Sequence, residues 1–84
     1  PEALFQLGRL EVAMNRYDKA KAVFGRLAEA TPRHVPTLFM LGLVAYRRHE
    51  PDEALQAFRR LLAIQPDHAE ARYYVGLILR QSGE

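Results

Sequence analysis

Residues 4–8 read Leu-Phe-Gln-Leu-Gly and residues 38–42 read Leu-Phe-Met-Leu-Gly, an offset of 34 positions. Working outward in that frame, Asp18 meets Asp52, Ala20 meets Ala54, Phe24 meets Phe58, Arg26 meets Arg60 and Leu27 meets Leu61. Pro32 and His34 close the unit opposite Pro66 and His68, which makes 11 identities in 34 positions without a gap. A third unit begins at Ala69 and reaches Tyr73, Val75, Gly76 and Gly83 in the same frame. A fixed period of this size marks a repeat architecture, so one domain over 1–84 divides into units 1–34, 35–68 and the opening helix of a third, 69–84.

Each complete unit reads as two helices. Leu4, Leu7, Leu10 and Met14 carry the three-and-four spacing of a one-sided helix, and Ala20, Val23, Phe24 and Leu27 repeat it in the second. Asn15-Arg16-Tyr17-Asp18 is the turn between them, and His49-Glu50-Pro51-Asp52 its counterpart. Pro51 and Pro36 suit the first turn of a helix, where a missing N–H costs nothing. Pro32 and Pro66 end each second helix, because proline cannot continue the hydrogen-bond ladder.

Gly8, Gly42 and Gly76 fall inside helices, where each costs about 0.5–1 kcal/mol relative to alanine. Three such defects at one spacing signal close approach of helices. The sequence predicts Ala20 and Ala54 as the small residues facing the glycines, with Phe24 and Phe58 filling the wider space beyond.

With its 34-residue period, Leu-x-x-Leu-Gly opening and Ala-x-x-x-Phe-x-x-Leu second half, the chain resembles the tetratricopeptide repeat family over its whole length. Leu4, Leu38 and Arg72 stand where that family often has Trp, and Glu11 and Ala45 where it often has Tyr. The resemblance implies an all-α fold: a right-handed α-solenoid of antiparallel helix pairs, with five helices near 2–14, 17–30, 36–48, 51–64 and 69–82. It also implies that the first helix of each pair lines a concave groove that binds peptides or helices. Settings such as bacterial secretion, pilus or envelope assembly, in cytoplasm or periplasm, fit the family without selecting a compartment.

Composition excludes several alternatives. The 84 residues carry 12 basic and 10 acidic side chains, for a net charge of only +2, and Arg and Glu alternate along the chain. A nucleic-acid binder concentrates its basic residues on one face, so no nucleic-acid partner is expected. No apolar run approaches the length of a membrane span, and no signal-peptide pattern opens the chain. Cysteine is absent, which removes disulfides and thiolate chemistry. The chain begins at Pro1 rather than Met, as an excised piece of a longer protein would.

The sequence offers little to a catalytic or metal centre. His34 and His68 occupy equivalent inter-repeat turns and His49 a different one, so no pair has the i, i+4 spacing of a helical zinc site. They read as exposed turn histidines. Thr31, Thr37 and Ser82 sit near helix ends, where hydroxyls serve as caps, and Glu29, Glu53 and Glu70 form no evident carboxylate pair. No enzyme activity, cofactor, metal or small-molecule substrate is expected.

By resemblance, the concave side carries Phe5, Arg9, Val12 and Ala13, then Phe39, Leu43, Tyr46 and Arg47, then Tyr73, Leu77, Arg80 and Gln81. Phe5, Phe39 and Tyr73 share one repeat position and are expected to line up as an aromatic ladder edged by Arg9, Arg47 and Arg80. Aromatic residues and Arg are the types enriched among interface anchors. A carboxylate clamp for chaperone tails would need Lys, Asn and Arg where this chain has Phe5, Arg9, Met40, Glu70 and Tyr74, and four of those five cannot serve. The expected partner is a protein or peptide, an amphipathic helix or hydrophobic segment with some acidic residues. Val75, Ile78 and Leu79 wrap apolar groups around the last helix, which makes them candidates for self-association as a homodimer, unless the chain was cut from a longer array. The alternatives are therefore an oligomerisation or scaffold segment, or a non-catalytic accessory domain of an enzyme.

Overall fold

The computed structural model describes residues 2–83. These form five α-helices: α1 Glu2–Ala13, α2 Tyr17–Ala30, α3 Val35–Arg47, α4 Pro51–Ile64 and α5 Ala69–Gln81. Three-residue turns fold α1 onto α2 and α3 onto α4 as antiparallel hairpins, and successive hairpins stack into a helical solenoid.

The turns repeat as faithfully as the helices. Asn15 and His49 adopt the left-handed conformation, with φ of 60° and 62°, and Gly83 does so at 88° one repeat later. Behind the first two, the amide of Arg16 donates to the Glu11 carbonyl at 2.7 Å and that of Glu50 to the Ala45 carbonyl at 2.9 Å. This six-to-one bond, with the Asn15 and His49 amides reaching back to Val12 and Tyr46, satisfies carbonyls that a helix end leaves open. Pro36 and Pro51 lie in the first turns of α3 and α4, as expected. Thr31 and Ser82 donate to the Leu27 and Ile78 carbonyls, so these two hydroxyls close helix C-termini.

α3 is the central helix. Its Val44 packs with Ala20, Phe24 and Leu27 of α2, while Leu38 and Ala45 pack with Ala54, Phe58 and Leu61 of α4 and Ala71 and Ile78 of α5. Phe24, Phe58, Leu38 and Leu61 are fully buried, and burying a side chain of this size is worth about 1.5–3 kcal/mol.

Two expectations need correction. The glycines of α1 and α3 face the phenylalanines rather than the alanines. A β-carbon on Gly8 would lie 2.6 Å from the tip of the Phe24 ring, and one on Gly42 would lie 2.7 Å from Phe58. Gly76 has nothing within 4 Å of that position. Second, the apolar stripe of α1 does not face inward as a whole. Leu7, Leu10 and Met14 remain exposed, and only Leu4 joins the core with Phe5 and Val12. Their counterparts in α3, Leu41 and Val44, are covered by the hairpin ahead of them, and α1 has no such neighbour here.

Candidate interaction surface

The first helices of the three units carry the expected groove residues at equivalent positions. Phe5 is half-buried, with its ring edge-on to Phe24 at 5.6 Å and to His34 at 5.9 Å. Phe39 repeats this against Phe58 at 5.9 Å and His68 at 5.5 Å. Tyr73 is 63% exposed and touches Tyr74 at 5.4 Å. Phe5 and Phe39 therefore lean on the second helix of their own hairpins and on the histidine that caps the following helix, Phe39 also on Tyr74, and no aromatic contact joins the three rings to one another. Among the described residues Tyr73 has no ring over it like Phe24 over Phe5 or Phe58 over Phe39.

Leu43 and Leu77 are half-buried, and Arg9, Arg47 and Arg80 are exposed. The Arg47 guanidinium donates to the Tyr17 hydroxyl at 3.1 Å, and the Gln81 amide donates to the Tyr46 hydroxyl at 3.2 Å. These two bonds tie α3 to α2 and to α5. Between them opens a cleft of about 540 Å³ floored by Ile78 and walled by Tyr17, Tyr46, Arg47, His49 and Gln81. Its lining contains a guanidinium and an imidazole but no carboxylate.

Tyr74 was not among the expected groove residues, yet it is the hub of the aromatic cluster. Its ring stacks on Phe58 at 5.5 Å with a 4° tilt, and it also contacts Phe39, Tyr46 and Tyr73. Its counterpart Met40 is half-buried against the core, and that equivalence is the sequence signal that could have marked it.

The last helix divides its candidates. Leu79 is exposed and Val75 is half-buried against the core. Ile78 is 1% exposed within the core beside Leu61 and Ala71, so it is a packing residue and cannot belong to a self-association surface.

The histidines also do more than mark turns. His68 caps α5, its Nδ1 accepting from the Ala71 amide at 3.1 Å, and His34 Nδ1 shares a 2.7 Å hydrogen bond with the buried Thr37 hydroxyl. Among the described residues no group of three or more His, Asp or Glu could hold a metal ion.

Charge concentrates at the α3–α4 turn. Arg48 donates to both carboxylate oxygens of Glu50, at 3.1 and 3.0 Å, and pairs with Asp18 of α2. Lys21 of α2 reaches Glu50 at 3.3 Å and Glu53 at 2.7 Å. The Arg48 hydrogen bonds, helped by Lys21, hold the Glu50 carboxyl down at about 2. This network clamps one hairpin to the next.

A family model described as tetratricopeptide repeat matches residues 5–67 and again residues 39–84. No curated protein matches the chain.

Proposed function

The chain belongs to the tetratricopeptide repeat family, whose repeats are generally protein–protein interaction modules, and from that premise we propose that it holds one amphipathic helix or extended hydrophobic segment along the first helices of its hairpins. Phe5, Phe39, Leu43, Tyr46, Tyr73 and Leu77 supply the apolar contacts, and Arg9, Arg47 and Arg80 receive acidic residues of the partner. The observation that carries this reading is Tyr73, a large aromatic side chain 63% exposed on the helix that also carries the exposed Arg80. Aromatic rings held at such sites anchor interfaces at low entropic cost. The family is typically a non-catalytic interaction module.

Peptides selected from a random display library against the chain test the proposal. Tyr73→Ala and Arg80→Glu should each weaken their binding several-fold with helical content unchanged by circular dichroism. Unchanged affinity in both variants would refute the groove. Tyr73 is the better probe than Phe39, because Phe39 also packs against Phe58, His68 and Tyr74 and its truncation would loosen the fold.

A second reading, self-association within a larger scaffold, draws support from the α1 stripe of Leu7, Leu10 and Met14, which are 42%, 55% and 47% exposed. Light scattering decides it: a strict monomer at high concentration rules that stripe out as a self-association surface.

A further inference from the structure

We propose that the cleft between α3 and α5 is a binding site for a small organic carboxylate with an apolar body. The Arg47 guanidinium and the His49 imidazole receive the carboxylate, and the body lies over Ile78 between the side chains of Tyr17 and Tyr46.

The cleft lies between elements of the described chain. On the α5 side it is bounded by Ile78, Gln81 and Ser82, the counterparts of Val44, Arg47 and Arg48 in α3. Val44 and Arg47 are the α3 residues that meet α2, so this is the side of α5 turned toward the preceding hairpin and away from Gly76. None of the cleft residues occupies a position of the chaperone-tail clamp, which would fall on Phe5, Arg9, Met40, Glu70 and Tyr74.

Two equivalent joints differ at the residues that make the site. At the first joint the Tyr17 ring packs against the cluster that contains Val44. At the second, Pro51 stands in place of that ring and is exposed, and the cleft of about 540 Å³ opens over Ile78. The same joint gains the polar groups. Tyr46, Arg47 and His49 stand where the first joint has Val12, Ala13 and Asn15. Both the space and the donors therefore belong to the second joint alone. His49 also holds a left-handed φ of 62°, where the matching positions carry Asn15 and Gly83, the residue types that adopt it most readily. A more costly residue kept in such a conformation is a mark of a functional position.

The chemistry of the lining selects the ligand. Among the described residues Arg47 pairs with no carboxylate, and its hydrogen bond to the Tyr17 hydroxyl leaves most of the guanidinium's donors free. Glu50, the acidic residue of the adjoining turn, is held by Arg48 and Lys21. Tyr17 is fixed as a wall, its hydroxyl accepting from Arg47 at 3.1 Å and donating to Asn15 at 3.0 Å. One guanidinium balances one negative charge, which favours a carboxylate over a doubly charged phosphate ester. An apolar floor with a few convergent polar groups, in a cavity of this size, is the usual form of a small-ligand site.

Titration of 3-phenylpropionate into the ¹⁵N-labelled chain, followed by NMR, tests the proposal. Saturable shifts are expected around Arg47, His49 and Gln81, and uncharged 3-phenylpropanol should bind roughly tenfold or more weakly, lacking the ion pair. Arg47→Gln should weaken the acid by a similar factor and leave the alcohol unaffected. Pro51→Tyr, which restores the ring of the first joint, should abolish binding by filling the cleft; Tyr17 already occupies that helix position, so the fold accepts it. Tyr73→Ala, which tests the groove, should leave acid binding unchanged, and a loss there would place the acid in the groove and overturn the site. Absence of saturation, equal binding of acid and alcohol, or full affinity in Pro51→Tyr also overturns it. Acetate binding as tightly as 3-phenylpropionate would reduce the site to a guanidinium that attracts any anion. Tighter binding of the capped dipeptide acetyl-Phe-Glu-amide would assign the cleft to an acidic side chain of a bound peptide and overturn the free-acid assignment.

Discussion

The Phe24 ring stands on Gly8 so closely that a β-carbon there would come within 2.6 Å of the ring tip, and Phe58 stands on Gly42 at 2.7 Å. Both rings are fully buried and have nowhere to move. Gly42→Ala therefore sets a helix-propensity gain of about 0.5–1 kcal/mol against overpacking of about 1–3 kcal/mol. The expected outcome is a net loss on the order of 1–2 kcal/mol, and Gly8→Ala should behave alike. Gly76→Ala, with open space around it, should instead gain about 0.5–1 kcal/mol. Urea denaturation of the three variants checks this opposition of sign; equal effects at Gly42 and Gly76 would contradict it.

Much of the fold could be read from the sequence because a 34-residue period fixes topology. The helix ends fall within about a residue of the positions that the prolines and apolar spacing mark. Periodicity shows which side of a helix a residue occupies but not how far its side chain reaches. For that reason the alanines, small and correctly placed, were expected over the glycines, while the longer phenylalanine rings in fact arrive there. The same limit hid Tyr74, whose role depends on rings from three helices converging. The outward turn of Leu7, Leu10 and Met14 had a different cause: their spacing marks an apolar face, and only the presence of a neighbour decides whether it is covered. The capping by His68 was hidden because histidine is not among the usual N-cap residues.

The clamp around Glu50 gives the fold an acid-sensitive joint. Its carboxyl is lowered from the ordinary 4.5 to about 2, chiefly by the hydrogen bonds from Arg48 and further by Lys21. A carboxyl lowered in the folded state adds stability that is complete above its unfolded value and is lost as pH falls through the folded one. Melting temperature should therefore fall as pH drops from about 4.5 toward 2. In Glu50→Gln that part of the decline should be absent, with lower stability at neutral pH. Lys21 is raised above its ordinary 10.5, first by its hydrogen bond to Glu53. Its contribution is present below 10.5 and lost at higher pH. Identical pH profiles for wild type and Glu50→Gln between pH 2 and 5 would show that the clamp carries no weight.

His68 holds the start of α5 through its bond to the Ala71 amide, and its ring lies 5.5 Å from Phe39. Replacing a side-chain N-cap by alanine costs about 0.5–2 kcal/mol. His68→Ala should lose an amount in that range and should increase hydrogen exchange at the first amides of α5 before those of α3 or α4. His68→Asn, which keeps a side-chain acceptor at the cap, should recover part of the loss. Uniformly raised exchange across all five helices would point to a general packing role instead.

Among the described residues, Glu11 is the one whose buried side-chain oxygen finds no hydrogen-bond partner. Its side chain is only 12% exposed, and its Oε1 is buried without a hydrogen-bond partner. Arg16 approaches that oxygen at 3.8 Å, but its own side chain is 49% exposed, so the pair is loose and the carboxylate is poorly compensated. The equivalent residues in the other units are apolar: Ala45, which is buried, and Leu79. Glu11→Met keeps most of the volume while removing the unsatisfied charge, and replacing a weakly paired buried ion by an apolar group is neutral or stabilising. A gain of about 1 kcal/mol is expected in urea denaturation, and Arg16→Ala should change stability by less than about 1 kcal/mol because its side chain lies half in solvent. A clear loss of stability in Glu11→Met would mean that the carboxylate has a favourable role that neither its burial nor its distance from Arg16 accounts for.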